Sequence, residues 1–363
     1  MKKITLPLSF IAMCLVFVVK TQAQIDTPRV SQHASVSQRV GITDIAIEYS
    51  RPSVNGRQIW GALVPYGFTN LGFGTSTAAP WRAGADENTT ISFSNDVTIA
   101  GKPVKAGTYA LFMEVKENNQ ATFILSNNST SWGSFFYDPS EDALRVPITT
   151  KSAPFHELLT YEFNTVTPTS ATVSLIWGEK EFPVTIEVPV HQVVLEKFRN
   201  DARNQIGFSR QNWEQAASYA LNNGGNLDEA LTWVDNAIAG QFYSQKTPNN
   251  LALKAQILNK KGKNQEANVL FDEAASMANI NQLNTLGYQM LNAKDYDRAL
   301  KYFKMNVENN PTDANVYDSL GECYKTMGDT KNAIKYFKKS LSLNPPANVK
   351  ANSEKHLKEL GAL

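Results

Sequence analysis

The chain has 363 residues, 42% of them hydrophobic and 19% charged, which is enough for two ordinary globular cores. Its 35 Lys and Arg face 34 Asp and Glu, a formal net charge of +1. That balance excludes the basic footprint of a nucleic-acid binder and gives no electrostatic pull toward anionic membranes.

Residues 1–23 read as a cleaved signal peptide. Lys2 and Lys3 form a basic start, Ile4 to Val19 is apolar apart from Thr5, Pro7 and Ser9, and Thr21-Gln22-Ala23 ends in a small residue ahead of Gln24. The apolar run is short of the roughly 20 residues that span a bilayer. Cys14 follows Met13 rather than a small residue, so no lipidation site is expected. Without a later apolar stretch, the mature chain is expected in the periplasm or outside the cell. Cys323 is then its lone cysteine, read as core packing rather than as a reactive thiol.

From 24 to 190 the apolar pattern alternates. Ile45, Ile47 and Tyr49, then Ile91 and Phe93, then Val97 and Ile99 precede a turn at Ala100-Gly101-Lys102-Pro103. The runs Thr108–Val115, Ala121–Leu125, Leu144–Thr149, Leu158–Val166, Ala171–Trp177 and Phe182–Val190 follow, rich in Val, Ile, Thr and aromatics. Eight or nine short strands without a long helical pattern predict an antiparallel β-sandwich or jelly-roll-like domain. Pro189 predicts an edge or an end for the last strand.

Beyond His191 the period becomes helical, and no Gly/Ser linker intervenes, which predicts that the two halves pack together. Leu286-Gly287, Ala299, Phe303 and Pro311 return 34 positions later as Leu320-Gly321, Ala333, Phe337 and Pro345. This register resembles tetratricopeptide repeats, pairs of antiparallel helices stacked into a right-handed superhelix. Two looser units precede it, around Ala267, Phe271 and Ala274 and around Ala230, Val234 and Ala237, and the polar helix Val349–Leu360 suits a cap. Residues 191–363 are therefore expected to form a helical solenoid that engages a protein or peptide. Asn284, Tyr288, Asn315 and Tyr317 are groove candidates by position; packing between repeats would use the same spacing.

In the β half, Arg51-Pro52-Ser53-Val54-Asn55-Gly56-Arg57-Gln58-Ile59-Trp60-Gly61 leads to Leu63-Val64-Pro65-Tyr66-Gly67. Trp81-Arg82-Ala83-Gly84-Ala85-Asp86-Glu87-Asn88-Thr89, Pro103-Val104-Lys105-Ala106-Gly107-Thr108-Tyr109, Trp132-Gly133 and Tyr137-Asp138 come after it. These phrases resemble, in order, the exported bacterial family called domain of unknown function 2911, found mainly in Bacteroidetes-type organisms. The resemblance spans Thr27 to Val190 and implies an exported β-rich domain of unassigned activity. The family usually has Asn where this chain has Asp86, and Phe68–Pro80 looks like an insertion.

Asn55, Arg57, Trp60, Arg82, Asp86, Glu87, Trp132 and Asp138 are the candidates for a ligand site, since Arg and Trp on loops at one end of a sandwich suit a carboxylate, phosphate or sugar. A purely internal use is equally written in them: Arg57 and Arg82 paired with Asp86 and Glu87, and Trp rings in the core. No metal or cofactor is expected. His33, His156, His191 and His356 are scattered, and no His-Glu-x-x-His, Gly-x-Ser-x-Gly, phosphate loop or dinucleotide fingerprint occurs. No catalytic residue stands out. The resulting expectation is an exported binding or assembly protein. Its competitor is a hydrolase of glycan or envelope material using Asp86, Glu87 or Asp138, and no pattern in the sequence encodes the oligomeric state.

Overall fold

The computed structural model describes residues 27–363, so the signal-like segment and Cys14 lie outside the described residues. The chain divides into two compact units. One holds Asp44–Glu187 with the preceding segment to Gln38; the other holds Val188–Leu363 with Arg39–Thr43.

Ten strands build the first unit among the described residues: β1 (Gln32–Val40), β2 (Thr43–Arg51), β3 (Thr90–Phe93), β4 (Val97–Ile99), β5 (Lys102–Val104), β6 (Gly107–Val115), β7 (Gln120–Ser126), β8 (Asp142–Thr149), β9 (Lys151–Val166) and β10 (Ser170–Glu187). They form two antiparallel sheets, ordered β1-β2-β3-β6-β7-β8 and β5-β4-β10-β9. Alternation drives the burial. Ile45, Ile47 and Tyr49 of β2 turn inward, as do Ala121, Phe123 and Leu125 of β7 and Val184 and Ile186 of β10.

Three readings change. The runs Ala171–Trp177 and Phe182–Val190 are one strand, because Gly178, at φ 58°, absorbs a register shift against β9 instead of ending β10. Lys102-Pro103, read as turn, lies in β5 at a sheet edge, where the missing proline N–H leaves no ladder bond unmade. β1 escaped notice because its half-exposed side chains carry little apolar alternation. β10 stops at Glu187, and Pro189 caps the first helix.

The second unit contains α1 (Val190–Asp201), α2 (Arg210–Asn222), α3 (Leu227–Ile238), α4 (Pro248–Lys260), α5 (Asn264–Met277), α6 (Ile280–Asn292), α7 (Tyr296–Asn309), α8 (Ala314–Thr326), α9 (Thr330–Leu341) and α10 (Ala347–Glu359). Helices α2/α3, α4/α5, α6/α7 and α8/α9 pair as hairpins. Asn226, Thr247, Asn279, Asp295, Asp313 and Asp329 accept from free amides at their helix starts, which explains where these helices begin. Ala299 and Ala333 let the helices approach closely, and Phe303 and Phe337 fill the gaps at full burial. No helix of the described residues is long and apolar enough to cross a membrane.

Candidate functional site

A cavity of about 430 Å³ opens in the β unit, and Arg57, Arg82, Asp86, Trp81 and Trp177 line it. Its aromatic wall comes from distant positions. Trp81 is fixed to β6 by paired backbone bonds with Met113, 2.9 and 2.8 Å, and stacks on Trp177 of β10 at 6.0 Å between centroids and 16° between planes. Trp60 stands edge-on to both, at 5.7 and 6.1 Å, behind this wall. The buried indole N–H groups of Trp60 and Trp177 meet no acceptor among the described residues.

The loop after Trp81 is held against its own backbone preference. Ala83 and Asp86 have φ of 50° and 59°, a region that costs a residue with a Cβ of order 1 kcal/mol or more. The Ala83 carbonyl is pinned by the Tyr161 hydroxyl at 2.9 Å and the Thr89 hydroxyl at 3.2 Å. Burial carries the Tyr161 phenol well above the ordinary tyrosine range, so it stays a donor. Asn tolerates the left-handed region better than most residues, so the Asn usual in the resembling family suits this φ at position 86.

Arg82 donates through Nη1 to the Asp86 carbonyl, lies over the Phe135 ring at 5.2 Å, and rests on Gly133. A Cβ at Gly133 would come within 2.6 Å of the guanidinium carbon. Burial draws Arg82 below the ordinary arginine value, the Asp86 charge opposing this, and the group remains a cation at neutral pH. Arg57 donates through Nε to Val54 O at 3.1 Å and through Nη2 to Ser53 O. Neither guanidinium hydrogen-bonds a carboxylate among the described residues.

The other candidates fall outside the cavity lining. Asn55 sits at φ 46° beside Gly56 in a turn, its N–H bonded to Glu157 at 2.8 Å. Trp60 is half-buried in the aromatic cluster. Glu87 pairs with Arg29, which lowers its carboxyl, and Arg29 lies over the exposed Trp132 ring at 5.9 Å. Asp138 caps the short 3-10 helix Pro139–Glu141, accepting from Ser140 N at 2.8 Å. The expected pairing of both arginines with Asp86 and Glu87 is thus absent as side-chain hydrogen bonds. Sequence reasoning missed Trp81 and Trp177 as wall residues; their separation along the chain left no local signal.

In the helical unit, the first helices α2, α4, α6, α8 and α10 touch one another in succession and share one face. Toward the C-terminus that face is filled by the chain's own polar groups. Tyr288 donates to Glu322 at 2.6 Å, Asn352 reaches Asp318 and Glu322 at 2.8 Å each, and His356 lies 3.1 Å from Glu322. Tyr317 is buried, stacks on Tyr336, and donates to Pro311 O at 3.1 Å. Tyr288 thus reaches the next repeat through Glu322, and Tyr317 packs on Tyr336 within its own helical hairpin. Asn315 is half-buried in the first turn of α8, and Asn284 buries an amide oxygen without a partner among the described residues. Between α2 and α4 the same face opens into a hollow of about 380 Å³, lined by Gln211, Glu214, Gln215, Asn249 and Gln256. None of these was selected from sequence: the unit containing α2 lacks the Gly and Phe markers, and in the next unit Phe271 marks α5 and not α4.

Residues 31–186 match the family described as Protein of unknown function (DUF2911). Residues 314–346 match a Tetratricopeptide repeat, an architecture built for protein contact along its curved surfaces. No curated protein matches the chain. Among solved structures it is similar to the C-terminal part of a TPR repeat-containing protein from Cytophaga hutchinsonii, at 18% identity over 46% of this chain and 68% of that one, TM-score 0.33. It is also similar to MamA, at 15% identity over 47% and 92%, TM-score 0.31. YrrB, described as a TPR protein with an unusual peptide-binding site, aligns at 19% identity over 46% and 86%, TM-score 0.29. The DUF2911 segment contains the whole cavity lining except Val30, and the repeat match covers α8 and α9.

Proposed function

We propose that this chain is an exported binding protein whose helical repeats hold a protein or peptide partner and whose β unit holds a small polar ligand. The hollow between α2 and α4 carries the reading. Side-chain amides of Gln211, Gln215, Asn249 and Gln256 each offer a donor and an acceptor, the complement of an extended peptide backbone. Recognition of that kind tolerates varied side chains in the partner. Export is supported by the signal-like residues 1–23. The hydrolase alternative has less support: paired-carboxylate hydrolysis needs two acids on one cleft, and Asp86 is the one carboxylate among the described residues lining the β cavity.

The test is affinity capture from envelope extract with the full chain and with a Gln215→Ala/Asn249→Ala/Gln256→Ala variant. Loss of the captured partner in the variant is expected. Unchanged capture would remove the hollow from recognition. Cell fractionation of a chain lacking residues 1–23 tests export, with retention in the cytoplasm expected.

A further inference from the structure

We infer that the β-unit cavity is a binding site for a small organic anion, a carboxylate or phosphate monoester carried on a flat apolar body. The inference rests on the polar-ligand half of the reading above and narrows it. Arg57 and Arg82 both line the cavity, and among the described residues their hydrogen bonds go to backbone carbonyls, Val54 and Ser53 for one and Asp86 for the other. Each guanidinium has five N–H donors, so most of them remain to be satisfied. One acid, Asp86, shares the lining with two cations. An anion with several acceptor oxygens matches this surplus of positive charge and donors.

The walls select the rest of the molecule. Trp81 and Trp177 stack at one side, and Leu63, Pro65, Leu71 and Pro80 add apolar surface. Trp177 also brings a buried indole N–H that no described residue satisfies, a state that proteins rarely leave unexplained. At about 430 Å³ the cavity lies in the lower range of small-molecule sites. The site is set before any ligand arrives: Arg82 is clamped between Gly133 and Phe135, and its loop is held at left-handed φ by Tyr161 and Thr89. Fixing the cation in advance removes an ordering cost from binding.

Calorimetric titration of the full chain with 1-naphthoate, 1-naphthyl phosphate and the neutral 1-naphthalenemethanol tests this. One of the two anions is expected to bind at least tenfold more tightly than the alcohol, and which one leads separates an organic acid from a phosphate ester. Arg57→Gln should weaken that anion about tenfold, in line with loss of a charge-assisted hydrogen bond, and Arg57→Glu should abolish its binding. Arg57 is exposed, so these variants keep the test meaningful where Arg82→Gln disturbs its loop. Equal affinity for all three probes would overturn the anion while leaving a β-unit ligand site standing. Binding of none, or an Arg57→Glu chain that binds the anion unchanged, would overturn the site itself. Partner capture through the α2/α4 hollow is read separately and does not depend on either result.

Discussion

At Gly287 an added methyl would lie 2.6 Å from the Phe303 ring, and at Gly321 the same methyl would lie 2.8 Å from Phe337. Both rings are fully buried and cannot swing away. Alanine gains about 1 kcal/mol of helix propensity over glycine, whereas overpacking a filled core costs about 1–3 kcal/mol, so the clash prevails. Gly287→Ala and Gly321→Ala are each expected to lower stability in urea, by up to about 2 kcal/mol, and Phe303→Leu should offset part of the first. Cys323 is governed by the same packing. Burial pushes its thiol up to about 11, and its sulfur lies 3.9 Å from the Met327 sulfur. A chain starting at Gln24, in which Cys323 is the sole cysteine, should therefore resist a thiol-reactive dye at pH 8 and react fully only when unfolded. Rapid native labelling would place Cys323 at the surface. The glycines and phenylalanines were legible because each reports a local constraint repeated at a fixed spacing. The cavity was legible only in part. Arg57, Arg82 and Asp86 sit in recognisable phrases, but nothing near Trp177 in the chain announces that it completes the same wall.

Among elements, α10 owes its place to polar contacts as much as to Val349 and Leu357. Burial pushes the Glu322 carboxyl up, yet hydrogen bonds from Tyr288, Asn352 and His356 bring it below the ordinary glutamate value of 4.5. Hydrogen bonds from Lys325 and His356 hold the Glu359 carboxyl down to about 2. Both folded values lie below the unfolded one, so their stabilisation is complete above about pH 4.5 and is lost as pH falls toward 2. Asp318 behaves oppositely. Burial raises it beyond what Ser353 and Asn352 restore, so the folded state takes up its proton first and gains from acid. The urea midpoint of the helical unit should therefore fall between pH 5 and 3, and less steeply in Glu322→Gln. At pH 7 that variant is expected to lose about 1–2 kcal/mol, as a hydrogen-bonded charge is removed. Asp318→Asn should be neutral or stabilising there, because an amide keeps partners in Ser353 and Asn352 without the nearby Glu322 repulsion. The polar cap was visible in composition; its bonds to Asp318, Glu322 and Lys325 of α8 needed the fold. Strand boundaries were less legible for a different reason. A left-handed glycine can end a strand or carry it through a bulge, and Gly178 does the second.

On the scale of the whole molecule, near-neutral charge sets how partners arrive. With 35 basic against 34 acidic side chains, the chain projects no strong net field beyond a Debye length, about 10 Å at 0.1 M salt. Charged groups then act locally or not at all. The amides of the hollow work through neutral hydrogen bonds, which salt screens little, and its carboxylate, Glu214, is already paired with Arg210 at 2.6 Å. Association of the peptide partner with the repeats should therefore change by less than about twofold between 50 and 300 mM NaCl, in both on-rate and affinity. The β cavity differs, because an anion there meets Arg57 and Arg82 directly. Its affinity should fall severalfold over the same range, with the half-buried Arg82 limiting the loss. Stopped-flow measurement of the captured partner separates the alternatives. A tenfold drop in its on-rate with salt would mean that charge rather than the amide face guides the encounter, and the α2/α4 hollow would then no longer account for recognition.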